Sequence, residues 1–188
     1  IVGESGCGKS ITALSIMGLV PKPGKVEKGE ICYDNKDLLK LNNAQLSKLR
    51  GNKISMIFQD PSSALNPVFK VGEQIAEIFQ IHNGLNKKQS LLEAKKTLIE
   101  VEMPDPETRM QAYPHELSGG MAQRVMIAMA LACCPDLLIA DEPTTALDVT
   151  IQSQILRLIK ILKEKTKTTT IFITHDLGVV AEMADKVL

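Results

Sequence analysis

Ile151, Ile155, Leu158, Ile159 and Leu162 recur at i, i+4, i+7, i+8 and i+11, one face of an α-helix, and predict a helix over 148–165. The same period predicts helices over 71–81, where Ile75, Ile78 and Phe79 share a face, and over 87–101, where Leu91, Ala94, Leu98 and Val101 do. Shorter signals predict helices over 8–19, ended by Pro21, Pro23 and Gly24, over 43–50, and over 119–134. Pro104, Pro106 and Pro114 read as breaks ahead of that last helix. Strand character appears where the period shortens: 53–58 alternates, 136–140 is a short buried run, and 168–174 is β-branched. Residues 29–38 read as a hairpin turning at Asp34 and Asn35, and 61–67 as a loop rich in Ser, Asn and Pro. Ile1 and Val2 read as the end of a strand. Strands alternating with helices predict an α/β fold on a parallel sheet. Its core covers roughly 1–66 and 135–188, and a helical segment over roughly 67–134 is inserted into it.

Charge and composition narrow the function. Among 188 residues, 22 Lys and Arg balance 22 Asp and Glu, which argues against nucleic acid or an anionic membrane surface as the main partner. The apolar stretches at 125–134 and 137–140 are too short to span a bilayer, so a membrane role would be indirect. A start at Ile1 and a stop at Leu188, inside an apolar run, read as a piece of a longer protein. Cys7, Cys32, Cys133 and Cys134 form no CxxC pair and no metal-ligand spacing with His82, His115 or His175. The three cysteines beyond Cys7 read as structural or incidental, and a reducing compartment fits them.

Gly3-Glu4-Ser5-Gly6-Cys7-Gly8-Lys9-Ser10 fits GxxxxGK[ST] between an apolar strand and a helix. Phosphates need many donors at close range, and glycines let successive backbone N–H groups point inward at a helix N-terminus. Lys9 can reach the β- and γ-phosphates, and the Ser10 hydroxyl can ligate Mg²⁺. Cys7 places a thiol beside those phosphates.

Leu137 to Ala140 lead into Asp141 and Glu142, at the strand end where a parallel sheet forms its ligand crevice. There Asp141 would hold Mg²⁺, directly or through water, and Glu142 would polarise an attacking water as general base. Ser118, Gly119 and Gly120 form a second capped helix start able to bind an anion, although a simple glycine turn explains them equally well in isolation. Gln59 and His175 each follow a strand. Taken singly such residues are more often structural, but here they share the P-loop's sheet edge.

In this order the P-loop, Gln59, Leu117-Ser118-Gly119-Gly120, the acidic strand end, Ala146-Leu147-Asp148 and His175 resemble the ABC ATPases over essentially the whole chain. The resemblance implies a single α/β domain over 1–188: a P-loop NTPase parallel-sheet core, a small antiparallel β element and an inserted α-helical subdomain, truncated at both ends. It implies ATP and Mg²⁺ as cofactors, and a head-to-tail dimer in which the P-loop of one copy faces Ser118 to Gly120 of the other. Gln59 would contact Mg²⁺ or the lytic water and link the site to a membrane subunit. Asp148 would cross the dimer interface, and His175 would contact the γ-phosphate and steady Glu142.

Several segments resemble the peptide and nickel importer branch. They are Ile57-Phe58-Gln59-Asp60-Pro61 with 62–67, Tyr113-Pro114-His115-Glu116, and 141–150 followed by Gln152. Met121 suits that branch, while Ala122 departs from the basic residue expected there. The branch implies two transmembrane permease subunits, an extracytoplasmic solute-binding protein, and a peripheral position on the cytoplasmic face of a bacterial membrane. Its nucleotide-stacking aromatic would lie upstream of Ile1, and its last core strands and C-terminal extension downstream of Leu188. Three rivals stand beside it. A P-loop kinase would carry an Arg-rich lid, for which the insertion offers only Arg109 and Arg124. A non-transport ABC ATPase would bring a coiled coil or a tandem domain. An ABC exporter shares the same core.

Overall fold

The computed structural model describes residues 1–188 apart from Ser5 and Ala146. Helix α1, Lys9–Met17, starts after Gly8 at φ 98° and stops at Gly18, whose left-handed backbone returns its N–H to Leu14 and Ser15. The helix therefore ends before the prolines expected to stop it, because a left-handed glycine closes the last turn by itself. Arg50 finishes that end: its Nε donates to Met17 O at 2.7 Å and one Nη to Gly18 O at 2.9 Å.

The hairpin forms as expected. Strands β1, Cys32–Tyr33, and β2, Lys36–Asp37, pair antiparallel. Asp34 and Asn35 both take positive φ, as a two-residue hairpin turn requires. Tyr33 Oη donates to Asp136 Oδ2 at 2.6 Å, and Lys53 Nζ lies 3.2 Å from the same oxygen. The hairpin is thereby tied to the chain just ahead of the central strand. Helix α2, Asn43–Leu49, follows with a reciprocal cap between Asn42 and Gln45.

The main sheet is parallel. Strand β3, Ile54–Ile57, pairs with β4, Leu137–Asp141, and β4 with β5, Thr169–Ile173. Beside β5, Val2 bridges parallel to Thr174, so the chain enters the glycine-rich loop from the same edge. Neighbouring residues of β4 serve opposite faces, as strand geometry dictates. Leu138 joins Ile57, Ile75, Leu98, Ile127, Ile155 and Ile159 in one buried cluster. Ile139 joins Ala13, Met17, Ile54, Met56 and Ile173 in the other.

Between β3 and β4 lie α3, Pro61–Ala64, α4, Val71–Asn83, α5, Lys87–Glu100, α6, Pro106–Gln111, and α7, Gly119–Leu131. Two of these correct the sequence reading. Residues 61–64 form a helical turn and not a loop, because Asp60 accepts from the Ser62 N–H and Pro61 occupies the first helical position. Pro106 likewise starts α6 where a break was expected; a proline there sacrifices no helical hydrogen bond. Helix α8, Val149–Thr166, carries the face that opened the sequence reading: Ile155, Leu158, Ile159 and Leu162 are buried. A further short helix, α9, Leu177–Met183, follows β5. Among the described residues no helix is long and apolar enough to cross a membrane.

Candidate functional site

Two left-handed glycines, Gly6 at φ 83° and Gly8 at φ 98°, curl the loop ahead of α1, a conformation that side-chain-bearing residues resist. The loop closes on Lys9, which is only 7% exposed. Its Nζ donates to Gly3 O and Glu4 O, both at 2.8 Å, and Cys7 Sγ lies 3.9 Å away. Cys7 itself is exposed. Ser5 lies outside the described residues.

Ser10, one residue on, turns toward the sheet. Its Oγ donates to Asp141 Oδ1 at 3.1 Å, and Asp141 is 4% exposed at the end of β4. Burial pushes the Asp141 carboxyl above its ordinary range; the Ser10 hydrogen bond opposes this, the Glu142 charge reinforces it, and Lys9 opposes it again. A hydroxyl and a carboxylate side by side are hard oxygen donors, which suits a small divalent cation such as Mg²⁺.

Glu142 extends the ladder one residue past β4 through a bond from its N–H to Ile173 O at 2.9 Å. Its backbone then turns left-handed at φ 46°, which aims the side chain away from Asp141. Three groups hold the carboxylate. Gln59 Nε2 donates to Oε2 at 3.1 Å, Thr145 Oγ1 to the same oxygen at 3.0 Å, and His175 Nδ1 lies 3.1 Å from Oε1. Burial alone would push Glu142 up. The bonds from His175 and Thr145, with the charges of His175 and Lys9, outweigh it and hold the carboxyl below its ordinary value. At neutral pH the group is therefore an oriented carboxylate.

Lys9, Ser10, Gln59, Glu142, Thr145 and His175 meet around one cavity of about 460 Å³, while Asp141 stands outside its lining and is joined to it through Ser10. Gly6, Gly8, Lys9 and Ser10 line one side, and Gln59, Glu142, Thr145 and His175 the other. Thr145 was not singled out from sequence. Its only signal was a hydroxyl three positions after the acidic pair.

Ser118, Gly119, Gly120 and Asp148 lie outside that lining. Ser118 caps α7, accepting from the Met121 N–H, and Asp148 caps α8, accepting from the Ile151 N–H at 3.0 Å. The two caps neighbour each other. A Cβ on Gly119 would sit 3.7 Å from Leu147 Cδ2, and one on Gly120 only 2.9 Å from Ile151 Cγ2. The chain thus carries a catalytic-looking cavity and, apart from it, a second capped helix start at Ser118. Arg124 is no lid residue: it is buried, with Nη1 donating to Val101 O at 2.6 Å and Nη2 to Gln154 Oε1 at 3.2 Å. That removes one of the two arginines a kinase reading needed.

Comparisons with known proteins bear on the family and the fold. The family model described as ABC transporter matches residues 1–145. Another, described as AAA domain, putative AbiEii toxin, Type IV TA system, matches residues 111–181. The chain is 59% identical to the probable peptide ABC transporter ATP-binding protein y4tR of Sinorhizobium fredii, over 100% of this chain and 56% of that protein. It is 56% identical to the oligopeptide transport ATP-binding protein OppD of Haemophilus influenzae, over 100% of this chain and 58% of that protein. The chain therefore spans little more than half the length of these curated relatives. Among solved structures, the dimeric post-hydrolysis state of the ATP-binding cassette MJ0796 bound to ADP and Pi superposes with a TM-score of 0.81 at 33% identity, covering 95% of this chain and 74% of that one.

Proposed function

Because this chain belongs to the ABC transporter family, we propose that it binds and hydrolyses ATP to power an importer of oligopeptides, dipeptides or related solutes. The observation that carries the reading is the Glu142 carboxylate, fixed by Gln59, Thr145 and His175 across one cavity from Lys9 and Ser10. The peptide class is supported by the names of the similar proteins.

The mechanism follows from these positions. Loop N–H groups and Lys9 bind the phosphates, with Lys9 exchanging the carbonyls of Gly3 and Glu4 for phosphate oxygens. Ser10, Asp141 and Gln59 would hold Mg²⁺, which when bound neutralises charge on the β- and γ-phosphates. Glu142 takes a proton from the attacking water, and His175, against its other oxygen, steadies it and contacts the γ-phosphate. Little covalent work is required; positioning and charge stabilisation dominate phosphoryl transfer.

A second copy or a paralogue completes the site with Ser118, Gly119, Gly120 and Asp148. This is supported by the placement of those residues outside the cavity of their own chain and by the dimeric state of the similar cassette. In this reading the core at roughly 1–66 and 135–188 carries the nucleotide. The helical subdomain at roughly 67–134 presents Ser118, Gly119 and Gly120 of the second half-site, and Asp148 joins them from the core. Two permease subunits and an extracytoplasmic solute-binding protein complete the transporter, with the ATPase peripheral on the cytoplasmic face. Nucleic acid has no part in it.

The test is association. Full-length protein given ATP and Mg²⁺ should sediment as a pair, and Ser118→Arg should abolish pairing while leaving nucleotide binding to the single copy. A wild-type protein that neither pairs nor hydrolyses ATP removes the reading.

A further inference from the structure

Helix α7 carries a polar side chain that its apolar surroundings do not call for. Gln123 is 2% exposed, between Val125 to Ala128 on one side and Gly119 and Gly120 on the other. Its Nε2 donates to the backbone carbonyl of Pro143, 20 residues away, at 2.5 Å. Pro143 is the residue directly after Glu142.

The turn at Glu142 needs such a partner. A non-glycine residue at positive φ is strained and persists only where the surroundings over-determine it. Glu142 stands at φ 46°. On one side the sheet holds it, through its own N–H and Ile173 O. Within the turn, the Thr145 N–H returns to Glu142 O at 3.1 Å. On the remaining side the contact comes from α7, through Gln123. The first turns of α7 also lie against the far end of the same segment, Gly119 against Leu147 and Gly120 against Ile151. Pro143, Leu147 and Ile151 are thus clasped along one helix at three levels, and among the described residues only Gln123 does so by a directed polar bond.

We infer that Gln123 is a positioning residue for ATP hydrolysis: by fixing the Pro143 carbonyl it sets the left-handed turn that presents Glu142 to the cavity. The inference rests on the proposed hydrolytic role. It adds that the helix beginning with Ser118 also aligns the general base of its own copy. Gln123 touches neither nucleotide nor water, so its effect passes entirely through the turn. Loss of the bond misplaces the base without altering the loop around Lys9.

The experiment is steady-state hydrolysis by full-length protein, with nucleotide binding measured separately. Gln123→Met keeps shape and burial but removes the donor. Gln123→His keeps a donating ring N–H at nearly the same reach. Gln123→Met should lower kcat about tenfold, as expected for one hydrogen bond lost from a catalytic turn, with KM for ATP unchanged within about twofold. Gln123→His should recover most of that loss. Unchanged kcat in Gln123→Met, equal losses in both variants, or an effect confined to KM overturns the positioning role. Should Gln123→Met fail to bind nucleotide, Gln123→Leu replaces it under the same expectations. Wild-type protein without ATPase activity would instead remove the proposed function and leave the Gln123 bond a structural contact.

Discussion

Ser10 Oγ donates to Asp141 Oδ1 across 3.1 Å, joining residues 131 positions apart at the meeting of α1 and β4. The pair brings a buried carboxylate against the phosphate loop where the fold alone gains nothing from its charge. Burial raises the Asp141 pKa, so in the native state the charged form is disfavoured relative to the unfolded chain. That contribution to stability is largest below the ordinary carboxylate pKa and is lost as pH rises through the higher native value. At neutral pH the charge therefore costs stability. Asp141→Asn should raise the melting midpoint of nucleotide-free protein by about 2 °C. The same change should weaken Mg-dependent ATP binding about tenfold or more, since a cation loses its charged ligand. Calorimetry and nucleotide titration check the two halves, and a fall in both would refute the trade.

Glu142→Gln keeps the shape of the side chain and its acceptor oxygen but cannot take a proton. Turnover should fall about 10²- to 10⁴-fold, the usual worth of a general base, while ATP affinity stays near wild type. Single-turnover hydrolysis beside equilibrium binding separates the two. Near-normal hydrolysis would take Glu142 out of the base role.

Thr145 shares Glu142 Oε2 with Gln59, so losing its hydroxyl leaves that oxygen with one donor of two. Thr145→Val should reduce kcat about three- to tenfold with KM little changed, on the scale of one hydrogen bond to a charged group. Thr145→Ser, which keeps the donor, should be close to wild type. If the two variants behave alike, the hydroxyl plays no part in orienting the base.

Much of this site could be read in advance, for a physical reason. Phosphate loops and strand-end carboxylates are local: their chemistry lies in consecutive residues, and Lys9, Ser10, Asp141 and Glu142 announce themselves by spacing. The periodic face of α8 was equally plain, since its buried residues follow one another along one helix. Thr145 and Gln123 were not legible, because their roles depend on a left-handed turn at Glu142 and on which carbonyl faces α7. Neither fact is written in spacing. The misread segments have a common cause too. Pro61 reads as part of a loop and Pro106 as a break, yet each follows an aspartate and stands at the first position of a helix. A proline's meaning depends on which side of the boundary it falls.

The contact between hairpin and sheet gives a pH signature. The Asp136 carboxyl is held below its ordinary value by the Tyr33 hydroxyl and by Lys53, so its stabilising effect is present above the usual carboxylate pKa and fades as pH falls through the lower native value. Tyr33 is pushed up to about 12, by burial first and then by Asp136. Its contribution is fully present below the ordinary tyrosine pKa and is lost as pH rises from there through the native value of about 12. Tyr33→Phe should lower stability by about 1 kcal/mol near neutrality and flatten both limbs. Urea unfolding across a pH series checks this, and parallel wild-type and variant curves would refute it.

Arg50 gives the phosphate loop a support far from any phosphate. Its guanidinium grips the carbonyls of Met17 and Gly18 at one end of a nine-residue rod whose other end begins with Lys9. Such a rod is about 13 Å long and stiff along its axis. A cation at its negative pole both offsets the dipole and stops the rod from sliding. Purchase on nucleotide is thus secured partly from behind, as an oar depends on its rowlock, and the residue that closes α2 helps to decide how firmly the loop can grip.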